Sequence, residues 1–105
     1  MEISDRFRGY LPVVVDLETG GLSKQDNPIL EVACSFVTMR DGQLCIKDSA
    51  SWSLEPFEGS HIEPASLKVT KIDLDDANRN ALDEREALVE FFKTVRDEMK
   101  FAGCH

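Results

Sequence analysis

Cysteine is scarce and its spacing is uninformative: Cys34, Cys45 and Cys104 are an odd number in no CxxC arrangement. That excludes a zinc knuckle and a disulfide framework and leaves three reduced thiols. Long apolar runs are missing too. Nothing approaches the roughly 18 apolar residues of a membrane span, and Met1 to Tyr10 is charged throughout, unlike a secretory leader, so the expected location is cytoplasmic. Basic residues are outnumbered, with 12 Lys and Arg against 20 Asp and Glu and a net charge of −8. Charge alone therefore argues against a bare nucleic-acid-binding module, which carries a basic face. Repeats and low-complexity segments are absent, and 105 residues are too few for two domains.

What is present is a set of well-punctuated elements. Leu11 to Leu17 contains the unbroken run Val13-Val14-Val15, which reads as a strand covered on both faces rather than one with a wet side. Thr19, Gly20 and Gly21 break it, and Asn27-Pro28 marks a turn. Ile29 to Met39 reads as a longer strand, with Val32, Cys34 and Phe36 on one face and Ala33, Ser35, Val37 and Met39 on the other. Asp41-Gly42 then supplies a tight hairpin turn. The third strand pairs back antiparallel, with an interruption expected around Lys47 to Ser49 before Ala50, Trp52 and Leu54 restore a period of two.

Pro64 to Thr70 reads as a short helix with Pro at an early position, and Asp73 to Asn80 as an acidic loop. Ala87, Leu88, Phe91, Phe92, Val95 and Met99 recur at helical steps and form one apolar stripe, with Trp52 and the Phe91-Phe92 pair expected in the core. Asp83 and Glu86 resemble a capping box at the start of this helix, and Gly103 suits its end. The expected fold is α/β, a three-stranded antiparallel sheet followed by two helices. One conflict stands out. Sequential pairing puts the first strand at a sheet edge, yet its valine run suits a central strand, so a partner chain or further strands are expected beside it.

Asp16 and Glu18 sit two residues apart at the end of that strand, on one face, with Cα atoms roughly 7 Å apart at a rise near 3.3 Å per residue. Two converging carboxylates suit hard divalent cations, and two-metal phosphoryl-transfer sites hold ions about 3.5–4 Å apart between such groups. A bare DxE pair arises often by chance. Its place after a buried apolar strand and before a Thr-Gly-Gly turn makes like-charge repulsion that a bound cation would relieve.

The string Val13-Val14-Val15-Asp16-Leu17-Glu18-Thr19-Gly20-Gly21-Leu22, with Ile29-Leu30-Glu31-Val32-Ala33 after it, resembles the first exonuclease motif of the DEDD family of 3′→5′ exonucleases, whose fold is ribonuclease H-like. Arg6-Phe7-Arg8-Gly9-Tyr10, Glu55-Pro56-Phe57 with Gly59, and Lys93-Thr94-Val95-Arg96 with Gly103-Cys104 resemble the branch of that family that trims the 3′ ends of tRNA and other stable RNAs. The resemblance implies that Asp16 and Glu18 are two of four carboxylates holding two Mg²⁺ ions, and that the Thr19 and Gly20 backbone lies against the terminal nucleotide. It implies a homodimer in which basic residues of one subunit hold RNA entering the site of the other, with Arg6, Arg8 and Lys100 matching that basic track.

Departures from the pattern are as informative. The family's third carboxylate comes from a His-Asn-x-x-Phe-Asp motif, and its catalytic His and fourth carboxylate from a later segment; neither has a counterpart among these residues. His61 and His105 match no catalytic position. Residues 1–105 are accordingly read as an incomplete exonuclease domain, with the first motif at 13–22 and no activity alone. The branch stacks aromatic side chains on the last bases and reads them with an acid, whereas the matching positions here are Leu22, Val69 and Ala65. Stacking is worth about 1–3 kcal/mol per base, so Leu22 and Val69 imply weaker packing and an altered base preference. Glu31 falls on a family position and is read as supporting or structural. A DNA exonuclease is the nearest rival reading, opposed by Arg6-Phe7-Arg8; a non-catalytic binding or dimerisation fragment is another, opposed by the intact Asp16 and Glu18.

Overall fold

Asp41 and Gly42 both adopt positive φ, 53° and 77°, which reverses the chain in a two-residue turn whose twist matches that of the flanking strands. In the computed structural model, which describes residues 1–105, this turn joins β2 (Ile29–Arg40) to β3 (Gln43–Ser53). The first strand, β1 (Val13–Thr19), pairs antiparallel with the other side of β2, so the order is β1-β2-β3. Before the strands comes α1 (Ile3–Arg6) and after them α2 (Pro64–Thr70), a 3₁₀ turn (Ala77–Arg79) and α3 (Glu84–Ala102). The short α1 and the 3₁₀ turn, which lies within the stretch read as loop, are additions to the expected plan.

The alternation along β2 sets the two faces of the sheet. Leu30, Val32, Cys34 and Phe36 are buried, and the register places Leu17, Val15 and Val13 of β1 opposite Val32, Cys34 and Phe36 on that same face. The other face carries Val14, Asp16 and Glu18 opposite Ser35, Ala33 and Glu31. Lys47 is the extra residue of a bulge, because Phe36 pairs with Asp48 and Val37 with Ile46. The expected interruption of β3 is therefore a bulge through which the strand continues. It aims Lys47 at α3, where the ammonium pairs with Glu98 and lies 4.0 Å from the Phe101 ring centroid.

Helix α3 covers the buried face. Val32, Cys34 and Phe36 meet Leu54, Ala87 and Phe91 in one cluster, and the Trp52 ring stands edge-on to Phe91 at 5.9 Å. Asp83 caps the helix by accepting from the Glu86 amide at 3.3 Å, and Gly103 ends it with φ 70°. Burial pushes the Cys34 thiol above its ordinary range; a hydrogen bond to the Ala50 backbone opposes this and the charge of Asp48 adds to it. Two contacts fix how α3 is rolled, since Trp52 Nε1 donates to Glu90 at 2.9 Å and Lys47 pairs with Glu98, both on the β3 side. At 100° per residue the opposite side presents Leu88 and Phe92 toward β1. Phe92 is 54% exposed, so of the Phe91-Phe92 pair only Phe91 is core.

The valine-rich strand lies at the open edge. Val14, Val15 and Leu17 are 60%, 49% and 47% exposed, and within this chain nothing covers β1 on its outer side. The reason is connectivity: each strand pairs with its neighbour in sequence, which leaves the first outermost. The molecule is correspondingly open. Its radius of gyration is 16.2 Å, against about 13 Å for a compact domain of this length. Its accessible surface is 7408 Å², against about 5,900 Å² for a folded monomer of this mass.

Candidate functional site

The register shifts between Glu18 and Thr19 at the end of β1, and the chain turns there through Thr19, Gly20 and Gly21. Thr19 Oγ1 donates to the Gly21 carbonyl at 2.8 Å. Gly20 is buried; its N–H donates to the Pro28 carbonyl at 2.9 Å and its own carbonyl accepts from Glu63 N–H at 2.7 Å. A Cβ there would sit 2.9 Å from Pro28 Cδ and 3.2 Å from Ile62 Cγ1, so only glycine lets the turn pack this closely. The bond to Glu63 also ties the turn to the start of α2.

A cleft of about 340 Å³ opens between these two elements. Its walls are Leu17, Glu18, Thr19, Gly21 and Leu22 on one side and Ala65, Ser66, Val69 and Thr70 of α2 on the other. Leu22 is fully exposed and Val69 81% exposed, an unusual placement for two branched apolar side chains beside carboxylates. Of the residues singled out in the sequence, Glu18, Thr19, Leu22, Ala65 and Val69 line the cleft, and Asp16 lies two residues from Glu18 on the same face. Gly20 lies behind the wall, with both backbone polar groups already bonded.

The electrostatics are those of an acidic edge. Asp16 is solvent-exposed opposite the small Ala33, and Glu18 lies directly opposite Glu31, an arrangement of like charges that disfavours the pair. No cluster of three or more His, Cys, Asp or Glu side chains comes together in a metal-holding arrangement. His61 pairs with Glu63 at 3.2 Å in the loop before α2. His105 packs against Gly9 and stands edge-on to Tyr10 at the other end of the molecule.

Arg6, Arg8 and Lys100 are also at that far end. The Arg6 guanidinium reaches the Met39 sulfur at 4.0 Å, and the end of α3 that carries Lys100 packs beside Ile3 of α1. All three cations are exposed and none forms an ion pair. From Glu31 to Met39 the strand covers about 26 Å at about 3.3 Å per residue, so these cations and the two acids cannot meet on one ligand atom within a chain.

Sequence reasoning missed Asn27, which was read as a turn marker. Its side chain is buried and bonded on both sides, to Ser23 N–H at 2.8 Å and to the His61 carbonyl at 2.6 Å. The available signal was an Asn held before Pro and after a polar turn, a position where a carboxamide substitutes for backbone partners.

The fold is an α/β unit with an acidic pair beside a cleft, and comparison with known proteins gives its class: residues 13–105 match the Exonuclease family, and the chain belongs to it. Its relatives carry a more particular name. It is 42% identical over 105 residues to the ribonuclease T of Shewanella sp. (strain W3-18-1), covering 99% of this chain and 47% of that protein. It is 45% identical over 103 residues to the ribonuclease T of Actinobacillus pleuropneumoniae serotype 5b (strain L20), covering 97% and 47%. The chain thus spans about half the length of the curated relatives it matches. No helix is long and apolar enough to cross a membrane.

Proposed function

We propose that the chain is the N-terminal portion of a metal-dependent 3′→5′ exoribonuclease of the ribonuclease T type. Its substrates are the 3′ ends of tRNA and other stable RNAs in the cytoplasm, cut by two-metal-ion hydrolysis that releases 5′-nucleotides. One observation carries this reading: Glu18, Thr19 and Leu22, distant in sequence from Ala65 and Val69, share one cleft beside the Asp16–Glu18 pair.

Asp16 and Glu18 fit Mg²⁺ on chemical grounds. They offer only hard oxygen donors, the cleft lining holds no Cys or His, and Mg²⁺ takes one or two carboxylates while keeping waters for the rest of its shell. When bound, the ions lower the pKa of the attacking water and stabilise charge on the leaving oxygen. The protein groups do the remainder. Asp16 and Glu18 hold the ions at the cleft, Thr19 borders the terminal nucleotide with Gly20 backing the turn, and Leu22 and Val69 flank its base by apolar contact. Arg6, Arg8 and Lys100 hold RNA phosphates. Their distance from the acids within one chain supports a homodimer in which the cations of one copy serve the cleft of the other.

Half of the carboxylate set and no histidine at the cleft leave the 105-residue chain without a complete site. Purified alone with Mg²⁺, it is expected to leave a 3′-tailed RNA intact. Fused to the C-terminal half of a curated relative, it is expected to shorten RNA ends in preference to DNA ends, and Asp16→Asn to abolish that. Digestion by the chain alone would refute the incomplete-site reading, and an Asp16→Asn fusion with full activity would refute the role of the acids.

A further inference from the structure

The two walls of the cleft come from segments more than thirty residues apart, and one side chain bonds to both. Asn27 is only 9% exposed. Its Oδ1 accepts from the Ser23 amide at 2.8 Å, next to Leu22, and its Nδ2 donates to the His61 carbonyl at 2.6 Å, on the segment that leads into α2. Its own amide donates to the Ser23 carbonyl at 2.9 Å, so Ser23 is gripped from both ends. Gly21 is pressed against the carboxamide so closely that a Cβ would collide with it.

From this bracket we infer that Asn27 is a positioning residue that sets the separation of the cleft walls bearing Leu22 and Val69. The consequence for nucleotides rests on the cleft being the terminal-nucleotide site.

The chemistry explains the residue type. A planar amide offers an acceptor at one corner and a donor at the other, and both are needed here at once. Aspartate supplies the acceptor and not the donor; alanine supplies neither and leaves Ser23 N–H and the His61 carbonyl without their partner. Two backbone bonds, from Glu63 N–H to the Gly20 carbonyl and from His61 N–H to the Asp26 carbonyl, also tie these segments; Asn27 is the tie made by a side chain, and so the one a substitution removes. Leu22 and Val69 are exposed, so the distance between them follows from the packing of α2 on β1 and from the ties between their segments, the bracket among them. A base held by apolar contact on two sides depends on that distance, and its size dependence reports it.

The test uses the 105-residue chain and three variants: Asn27→Ala, Asn27→Asp, and Phe91→Leu as a core control chosen for a matched loss of melting temperature. Backbone amide relaxation dispersion is read at Leu22 and Ser23 on one wall, Ala65 and Ser66 on the other, and Val32 and Cys34 in the core. Asn27→Ala is expected to produce exchange broadening on both walls with the core unchanged, and Asn27→Asp on the α2 wall alone. The same proteins are titrated with AMP and with CMP in Mg²⁺. Asn27→Ala is expected to weaken both at least fivefold and to bring their affinity ratio toward one, whereas Phe91→Leu leaves the ratio as it was. Walls as quiet in Asn27→Ala as in the parent chain, or broadened equally by Phe91→Leu, overturn the inference. Should the parent chain bind neither nucleotide while the walls respond as described, the bracket stands and the assignment of the cleft to nucleotides falls.

Discussion

Glu18 and Glu31 face each other across β1 and β2, a pairing that costs stability in the absence of a cation. Relieving it by Glu18→Gln is expected to stabilise the metal-free chain by about 0.2–1 kcal/mol, read as a rise in melting temperature in the presence of a chelator. The same variant is expected to lose the paramagnetic broadening that Mn²⁺ causes around Asp16. A site that stabilises when disarmed is one held for function. Cys34 gives a second expectation. Its thiol is raised by burial, so the folded chain keeps a proton that the unfolded chain releases at high pH. This contribution to stability is fully present below the ordinary thiol range and is lost as pH climbs through the raised value. With a thiol reagent at mildly alkaline pH, the partly exposed Cys45 and Cys104 react first and Cys34 only after unfolding. At this scale the placement of Asp16 and Glu18 on one face of β1 was legible, because alternation along a strand follows from spacing alone. Asn27 was not, because a carboxamide in a turn looks the same whether it faces water or joins two segments.

At the scale of elements, the β2–β3 hairpin and α3 were legible from local signals: a turn dipeptide, a helical apolar period, and a cap at each end. The cover over β1 was not, since a run of valines reports the environment a strand is suited to and not who supplies it. The same limit explains Phe92, whose place in the apolar stripe gave no clue that the stripe is wider than the sheet beneath it. The bulge at Lys47 showed only as a break in alternation, and α1, four residues long, is too short for periodicity to register. An uncovered apolar edge invites pairing with other chains. Val15→Lys is expected to reduce concentration-dependent association, measured by sedimentation velocity, at little cost in stability because Val15 is already half-exposed. Val32→Lys, on the same face but 1% exposed, is expected to unfold the chain.

For the molecule as a whole, the separation of charge matters more than its sum. A net −8 pointed away from nucleic acid, yet the exposed cations Arg6, Arg8 and Lys100 stand at one end and the acids of the cleft at the other. If these cations contact single-stranded RNA phosphates, each steepens the salt dependence of log K by about 0.7. Arg8→Ala in the full-length fusion is expected to reduce the slope by about that amount and leave the purine-to-pyrimidine preference unchanged, as checked by RNA binding across a salt series. The strand order has a consequence in time as well as in space. Every strand pairs with its neighbour in sequence, so closing the sheet requires only short loops, whose entropic cost is small. Folding can begin at the Asp41-Gly42 turn, proceed down the hairpin to Trp52, and bring in β1 and its two carboxylates last. The segment bearing the two proposed metal ligands is thus the one that the rest of the sheet must exist to receive.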